Sequence, residues 1–236
     1  MNMKKKVIAA SLLCLCAAAS QSAAASEVGF YIGAYVGQAS KDIPRTFFED
    51  FKNDIYAFLG YTPTGETVSF DDTDSSFSLF AGYRLNTYLA FEGGYTRLGQ
   101  VTYKSRSTGT FPMDTGSVDT TFENETSGFT LSVLGTLPLN RNWELFARGG
   151  ALFATNRLQV TIRTHEEVFV SVLSTEFSDS FSKGSTDIYA ALGVSRRFFE
   201  NYAVRLEYQR AFDTGLADTG GTGDLDAALL GVTVTF

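Results

Sequence analysis

Strict alternation of apolar residues with polar or small ones recurs in eight segments of the chain. This period-two pattern is typical of β-strands whose two faces meet different surroundings. The segments are Phe30–Gln38, Phe77–Leu85, Tyr88–Tyr103, Gly128–Leu137, Trp143–Thr155, Asp187–Phe199, Tyr202–Phe212 and Leu225–Phe236. The sequence therefore predicts an all-β, antiparallel fold.

The connections between these segments alternate in length. Short turns lie at Asn86-Thr87, Pro138–Asn142 and Glu200-Asn201, and long connections lie at 39–76, 104–127, 156–186 and 213–224. A soluble sandwich has the same period two. However, strands of about ten residues suit a tilted membrane crossing, and short turns on one side with long loops on the other are typical of outer-membrane barrels. We therefore predict an eight-stranded up-and-down transmembrane β-barrel with long external loops.

Aromatic residues near the strand ends support the same fold, because such barrels carry aromatic girdles at both membrane surfaces. The predicted girdle consists of Phe30, Tyr88, Tyr103, Trp143, Tyr202, Phe212 and Phe236.

The N-terminus has the three regions of a secretory signal peptide. Lys4, Lys5 and Lys6 precede the uncharged run Val7–Ala19, and Ala23–Ala25 fits a cleavage site. The run is too short for a permanent transmembrane helix; a buried N-terminal helix is the alternative. We predict a signal peptide over 1–25, cleaved near Ala25, and a barrel domain over 26–236.

Cleavage changes the composition of the chain. Both cysteines leave with the signal peptide, and Lys+Arg falls from 19 to 16 against 26 Asp+Glu, so the net charge moves from −7 to −10. A chain this acidic lacks the basic patch that nucleic acids require. We therefore expect no nucleic acid partner.

Six charged residues fall on the face that we assign to the barrel interior. They are Arg84, Glu92, Glu144, Arg148, Arg205 and Glu207. Because buried charges must be paired, these residues are predicted to form a lumen charge network. Glycines on the same face, such as Gly33 and Gly82, leave room for the large side chains of an eight-stranded interior.

Several segments resemble the transmembrane barrel of the OmpA-type family. The stretch from Gly82 to Gly99 (GYRLNTYLAFEGGYTRLG) is similar to its second hairpin, and Phe30–Gly37, Pro138–Gly150 and Tyr202–Gln209 are similar to its first, fifth and seventh strands. The resemblance covers all eight strands but not the loops. Since the chain stops at Phe236, it implies a barrel without the family's peptidoglycan-binding domain.

The resemblance also implies roles for particular residues. It favours a pair between Glu92 and Arg205 within a network that either plugs or gates the lumen. Leu134 and Ser195 stand where the family has a lysine and a second glutamate, so the gate's alternative pairing is missing. The ending resembles the family's assembly signal, whose residues here are Val232, Val234 and Phe236.

Catalysis and metal binding have little support in the sequence. The one histidine, His165, lies in a long connection beside Glu166 and Glu167, with Ser171 nearby. An exposed loop histidine is the simpler interpretation, because a catalytic pair needs hydrogen-bond geometry and a metal needs a recognisable ligand spacing. We expect no enzyme activity, cofactor or metal.

The long connections hold two further patterns. Apolar residues between Arg45 and Tyr61 recur at helical spacing, which predicts a short amphipathic helix that is either a lid on the barrel or a binding helix. The connection 156–186 keeps period two, which predicts a hairpin extending above the membrane with an edge that could pair with a partner strand. We read 213–224 as a flexible loop.

Three functions remain open on the sequence: a structural or adhesion-type surface protein that recognises ligands through its loops, a small pore or permeability protein, and a lipid-modifying enzyme. The expected partners are outer-membrane lipid and lipopolysaccharide, periplasmic chaperones, the barrel-assembly machinery, and a host or phage surface ligand.

Overall fold

The computed structural model describes residues 28–112, 114–168, 171–216 and 221–236. The predicted signal peptide and its cleavage site lie outside these ranges. The elements within them are β1 (Gly29–Lys41), α1 (Arg45–Leu59), β2 (Thr62–Asp71), β3 (Thr73–Asn86), β4 (Leu89–Thr110), β5 (Thr115–Pro138), β6 (Trp143–Val168), β7 (Ser171–Arg197), β8 (Tyr202–Leu216) and β9 (Gly221–Thr235).

Eight strands close into a ring. Each strand from β3 to β9 pairs antiparallel with the next one along the chain, and β1 closes the ring by pairing with both β3 and β9. Closure leaves the membrane-spanning part without a free strand edge. The predicted eight-stranded antiparallel barrel is confirmed.

The two faces of the ring have opposite character. Large apolar side chains cover the outside, where Phe30, Ile188 and Leu192 are 67, 72 and 67 % exposed. Tyr35 and Tyr189 are buried inside. An apolar outside and a packed interior suit a barrel surrounded by lipid. No helix in the described ranges combines the length and the apolarity needed to cross a membrane.

Glycines on the inner face make room for aromatic rings. A Cβ at Gly33 would lie 2.3 Å from Cζ of Phe80, and one at Gly82 would lie 2.4 Å from Cζ of Tyr31. Both distances are much shorter than a van der Waals contact, so any side chain at these positions would clash with the rings. The two rings fit because the residues opposite them are glycines.

Four strands are much longer than a membrane crossing requires. β4, β5, β6 and β7 have 22, 24, 26 and 27 residues, whereas about ten suffice. β2 pairs with β4 from Asp71↔Thr102 to Thr62↔Thr110 and adds a fifth strand at this level. We call residues 62–71, 100–110, 115–127, 154–168 and 171–187 the protruding sheet.

Several sequence-based boundaries need correction. The connection 104–127 is mostly strand, β2 was not predicted, and β8 and β9 extend through most of 213–224. Tyr103 does not belong to the girdle, because it lies above the barrel and is fully buried. Val234 belongs to the outer row, yet it is buried between its large register partners Ile32 and Tyr202.

α1 occupies most of the predicted helical segment and ends two residues earlier. Gly60 follows it in the left-handed conformation, with φ 64°. Its N–H bonds to Ala57 O at 3.2 Å, and Tyr61 N–H bonds to Tyr56 O at 2.9 Å. These bonds satisfy carbonyls of the last turn, and glycine takes this conformation without steric cost.

Candidate functional site

Four of the six predicted interior charges form one cluster across the barrel. We call Glu92, Arg148, Arg205 and Glu207 the lumen cluster. Glu92 bridges both arginines, with its Oε2 3.0 Å from Arg148 Nη1 and its Oε1 2.7 Å from Arg205 Nη1. Arg148 also pairs with Glu207. All four are at most 8 % exposed, and their two positive and two negative charges balance.

Aromatic side chains enclose the lumen cluster. The hydroxyl of Tyr31 donates to Glu92 Oε1 at 2.7 Å. The Arg148 guanidinium lies about 5.5 Å from the ring centres of Tyr35 and Tyr189. The Arg205 guanidinium lies 5.3 to 5.5 Å from the ring centres of three residues on different strands, Tyr31, Phe80 and Phe146. Such contacts stabilise a cation that has left water.

The remaining two predicted charges form a separate pair. Arg84 and Glu144 make a two-pronged contact, at 3.1 and 3.2 Å, near the short-turn end of the barrel. They line a cavity of about 170 Å³ that opens at that end. Arg205 also lines this cavity, so the cavity ends at the lumen cluster.

The two departures from the family pattern lie beside the cluster. Leu134 is fully buried and Ser195 is 2 % exposed, both on the inner face. Neither side chain offers a charge with which Glu92 or Arg205 could exchange partners.

A further interior charge was missed by the sequence analysis. Lys41, at the end of β1, is 4 % exposed, and its Nζ donates to Thr126 Oγ1 at 3.1 Å and Asn156 Oδ1 at 3.4 Å. The predicted first strand stopped at Gln38. Continuing its alternation through Ala39 to Lys41 would have placed this ammonium group inside the barrel.

α1 lies against the inner face of the protruding sheet. Phe48 is completely buried, and its ring centre lies 5.6 Å from that of Tyr103 and 6.0 Å from those of Phe70 and Phe122. Leu158 belongs to the same cluster. The helix therefore packs on β2, β4 and β5 through one aromatic core.

Polar contacts fix the next turns of α1. Lys52 pairs with Glu66 of β2, which also accepts a hydrogen bond from Ser105 at 2.6 Å. One turn later, the Tyr56 hydroxyl lies 2.9 Å from Ser107 Oγ. The Lys52–Glu66 pair joins α1 to β2, and the Tyr56 contact joins it to β4. Apolar and polar contacts therefore hold the same face of the helix.

The Lys52–Glu66 bridge makes docking of α1 depend on pH. Burial lowers the pKa of Lys52, but the hydrogen bond and charge of Glu66, together with the nearby Tyr103 and Tyr56, outweigh this and raise the pKa. Burial raises the pKa of Glu66, but hydrogen bonds from Lys52 and Ser105 and the positive charges of Lys52 and Arg45 together outweigh this and lower the pKa. Glu66 therefore stabilises the docking of α1 fully above the pKa that it has in the unfolded chain. This stabilisation is lost as the pH falls through the lower pKa of the folded protein.

Lys52 also stabilises the docking of α1, but with the opposite pH dependence. Its stabilisation is lost only as the pH rises above the usual lysine range. We therefore expect docking of α1 to be constant from about pH 6 to about pH 9 and to weaken in acid. Protease cleavage within α1, followed against pH, measures this. Glu66→Gln should remove the acid-dependent change, and an unaltered acid response in that variant would contradict the assignment.

The candidate catalytic residues His165 and Ser171 lie on neighbouring strands but are not register partners, because Ser171 pairs with Val168. His165 lies within β6 rather than in a loop and is half-buried, with Ser174 as its register partner on β7. Within the described part of the chain, no group of three His, Cys, Asp or Glu residues is arranged to hold a metal ion.

Comparison with known proteins gives consistent results. A model of the OmpA-like transmembrane domain family matches residues 25–236. Outer membrane protein A of Serratia marcescens is 27 % identical over 99 % of this chain, and the chain spans 56 % of that protein's length.

Two solved outer-membrane barrels are also similar. Ail of Yersinia pestis has a TM-score of 0.46 at 16 % identity and covers 89 % of this chain and 100 % of its own. Neisserial surface protein A has a TM-score of 0.41 at 14 % identity and covers 88 % and 97 %. With a matching family model over nearly nine-tenths of its length and the closed eight-stranded ring described above, the chain belongs to the OmpA-like transmembrane domain family of outer-membrane proteins.

Proposed function

We propose that this outer-membrane barrel is a structural or adhesion-type surface protein that recognises a ligand outside the cell through its protruding sheet. The observation that carries the proposal is the length of the strands: β6 and β7 continue well beyond a membrane crossing, and α1 stiffens the sheet that they form. Recognition sites are commonly built on segments that a rigid scaffold presents to solvent.

The lumen cluster supports a scaffold role for the barrel below. Two Arg and two Glu residues pair across the interior, and we propose that they act as a structural plug. Buried ion pairs often fix how strands meet rather than react. A small pore is the alternative function.

We propose a non-catalytic role for the protein. His165 alternates with the buried, inward-facing Leu158 and Val160 of the same strand, so it lies on the outer face of the sheet, away from the lumen. The partners that we propose are lipid and lipopolysaccharide around the apolar outside, a host or phage surface ligand at the protruding sheet, and periplasmic chaperones and the assembly machinery during insertion. The assembly machinery would recognise Val232, Val234 and Phe236.

Shortening the β6–β7 hairpin tests the surface-recognition proposal. Asn156 and Lys183 are register partners, so replacing 157–182 by an Asn-Gly turn leaves the pairing below them intact. We expect bacteria displaying this variant to bind epithelial monolayers and immobilised host glycoproteins no better than bacteria without the protein, whereas the full chain binds.

The control is heat-modifiable migration in gels, which should be the same for both proteins and shows that the barrel has folded. Undiminished binding by the shortened variant would refute recognition by this hairpin. Discrete conductance steps of the full chain in planar bilayers would favour the pore instead.

A further inference from the structure

The upper part of β7 is a strand with one open edge. β8 pairs with β7 only from Arg197↔Ala203 to Tyr189↔Ala211. It then bends at Asp213, where φ is 52°, and the β8–β9 hairpin leans toward the end of β1, where Asp42 N–H bonds to Asp224 O at 2.9 Å. Among the described residues, no strand pairs with β7 above Tyr189 on this side. Between Leu173 and Phe181, β7 therefore presents an open edge to which another strand can pair.

The two faces of this edge strand differ in polarity. The outer face carries small or charged residues, among them Ser174, Glu176 and Ser178. Leu173, Phe177 and Phe181 face inward and are 58, 57 and 52 % exposed. They lie on the same face of the sheet as the cluster that receives α1, because Phe181 is the register partner of Leu158 and Phe177 that of Ile162.

An acidic residue interrupts this apolar row. Asp179 lies between Phe177 and Phe181 on the inward face and is exposed. Its carboxylate accepts a hydrogen bond from the adjacent Ser180 N–H at 2.7 Å, and no ion pair with it is found in the described ranges. Phe177, Asp179 and Phe181 therefore form an apolar, acidic, apolar row at alternate positions. Because the row is symmetric, a parallel and an antiparallel partner strand would meet the same pattern.

The surroundings are acidic as well. α1 and the protruding sheet, taken as residues 45–59, 62–71, 100–110, 115–127, 154–168 and 171–187, contain 13 Asp and Glu against 7 Lys and Arg. Such a surface attracts a cationic segment and repels a polyanion or a second copy of itself.

We propose that residues 173–181 of β7 accept an extended segment of a partner protein as an added strand, and that this segment carries an apolar residue, a Lys or Arg, and an apolar residue at alternate positions. Backbone hydrogen bonds along the edge provide binding, and the alternate side chains provide specificity. Residues directly opposite in neighbouring strands contact one another, so the partner's cation meets Asp179 and its apolar residues meet Phe177 and Phe181. This inference rests on the proposed surface-recognition function and specifies its partner.

Synthetic peptides test the pattern on the full-length chain in lipid nanodiscs. The probe is Thr-Val-Thr-Lys-Thr-Val-Thr, and a peptide with Glu in place of Lys is its control. We expect the Lys peptide to bind about tenfold more tightly, because an attractive cross-strand pair becomes a repulsive one. Asp179→Lys should reverse the preference, so that the Glu peptide binds more tightly.

Glu176→Lys is the control variant, since it makes the same charge change on the opposite face of β7, where Glu176 forms only an exposed ion pair with Arg163. It should leave the preference for the Lys peptide unchanged. Carbon-13 labelling of the peptide carbonyls should shift an infrared amide I band to the position of paired β-strands on binding.

Equal binding of the two peptides, or a preference that Asp179→Lys does not reverse, would overturn the proposal. Cross-linking between copies through β7 in nanodiscs, with no peptide binding, would assign the edge to a second copy instead. If the shortened hairpin abolishes adhesion while the peptides fail to discriminate, surface recognition stands and this partner assignment fails.

Discussion

Glu92→Gln should lower the free energy of unfolding by about 3–5 kcal/mol, the range for removing one partner of a buried ion pair. Glu92 accepts from both Arg148 and Arg205, so a neutral amide leaves one charge of the lumen cluster without a full counterion. Urea unfolding of the protein in lipid vesicles measures the loss, and Trp143, the one tryptophan in the sequence, reports it by fluorescence.

Glu125→Gln is the control for this change. Glu125 contacts Arg97 at 2.6 Å, but both side chains are more than one-third exposed. An exposed pair of this kind contributes about 0–1 kcal/mol. If the two variants unfold at the same urea concentration, the lumen cluster does not stabilise the barrel.

Phe48→Ala should release α1 from the protruding sheet. Deleting a fully buried phenylalanine side chain usually costs about 3–5 kcal/mol, through lost contacts and the cavity left behind. Phe48 makes ring contacts with three strands, so the loss falls on docking of the helix rather than on the closed barrel. Trypsin treatment of intact cells should then cut α1 at Arg45 and Lys52 much faster than in the unaltered protein.

Phe58→Ala provides a comparison on the same helix. Phe58 is 91 % exposed, so its removal should leave trypsin cleavage unchanged. Equal protection of α1 in all three proteins would show that the aromatic contacts of Phe48 do not hold the helix.

Much of the fold is predictable from the sequence, because a barrel wall between lipid and a packed interior imposes period two on every strand. α1 is predictable for a similar reason, since Phe48, Phe51 and Ile55 recur at helical spacing. The protruding sheet is harder to recognise. Its outer face is polar and meets water, and residues such as Gly109 and Ser178 are typical of loops as well as of exposed strands.

The site is less predictable than the fold. Alternation assigns Glu92 and Arg148 to the interior, but partner choice depends on the register and stagger of strands far apart in the chain. Arg148 reaches both Glu92 and Glu207, and no pattern along one strand indicates such a bridge. The placement of Tyr103 under α1 likewise depends on a helix from a different connection, so a single aromatic at a strand end could not distinguish it from a girdle residue.

The balance of the lumen cluster has an electrical consequence. Moving one elementary charge through 100 mV involves about 2.3 kcal/mol, which is how voltage drives gating in charged sensors. Two guanidinium groups and two carboxylates moving together carry no net charge, so a potential across the outer membrane would do no net work in displacing them. The structural plug that we propose would therefore respond to neither the sign nor the size of that potential.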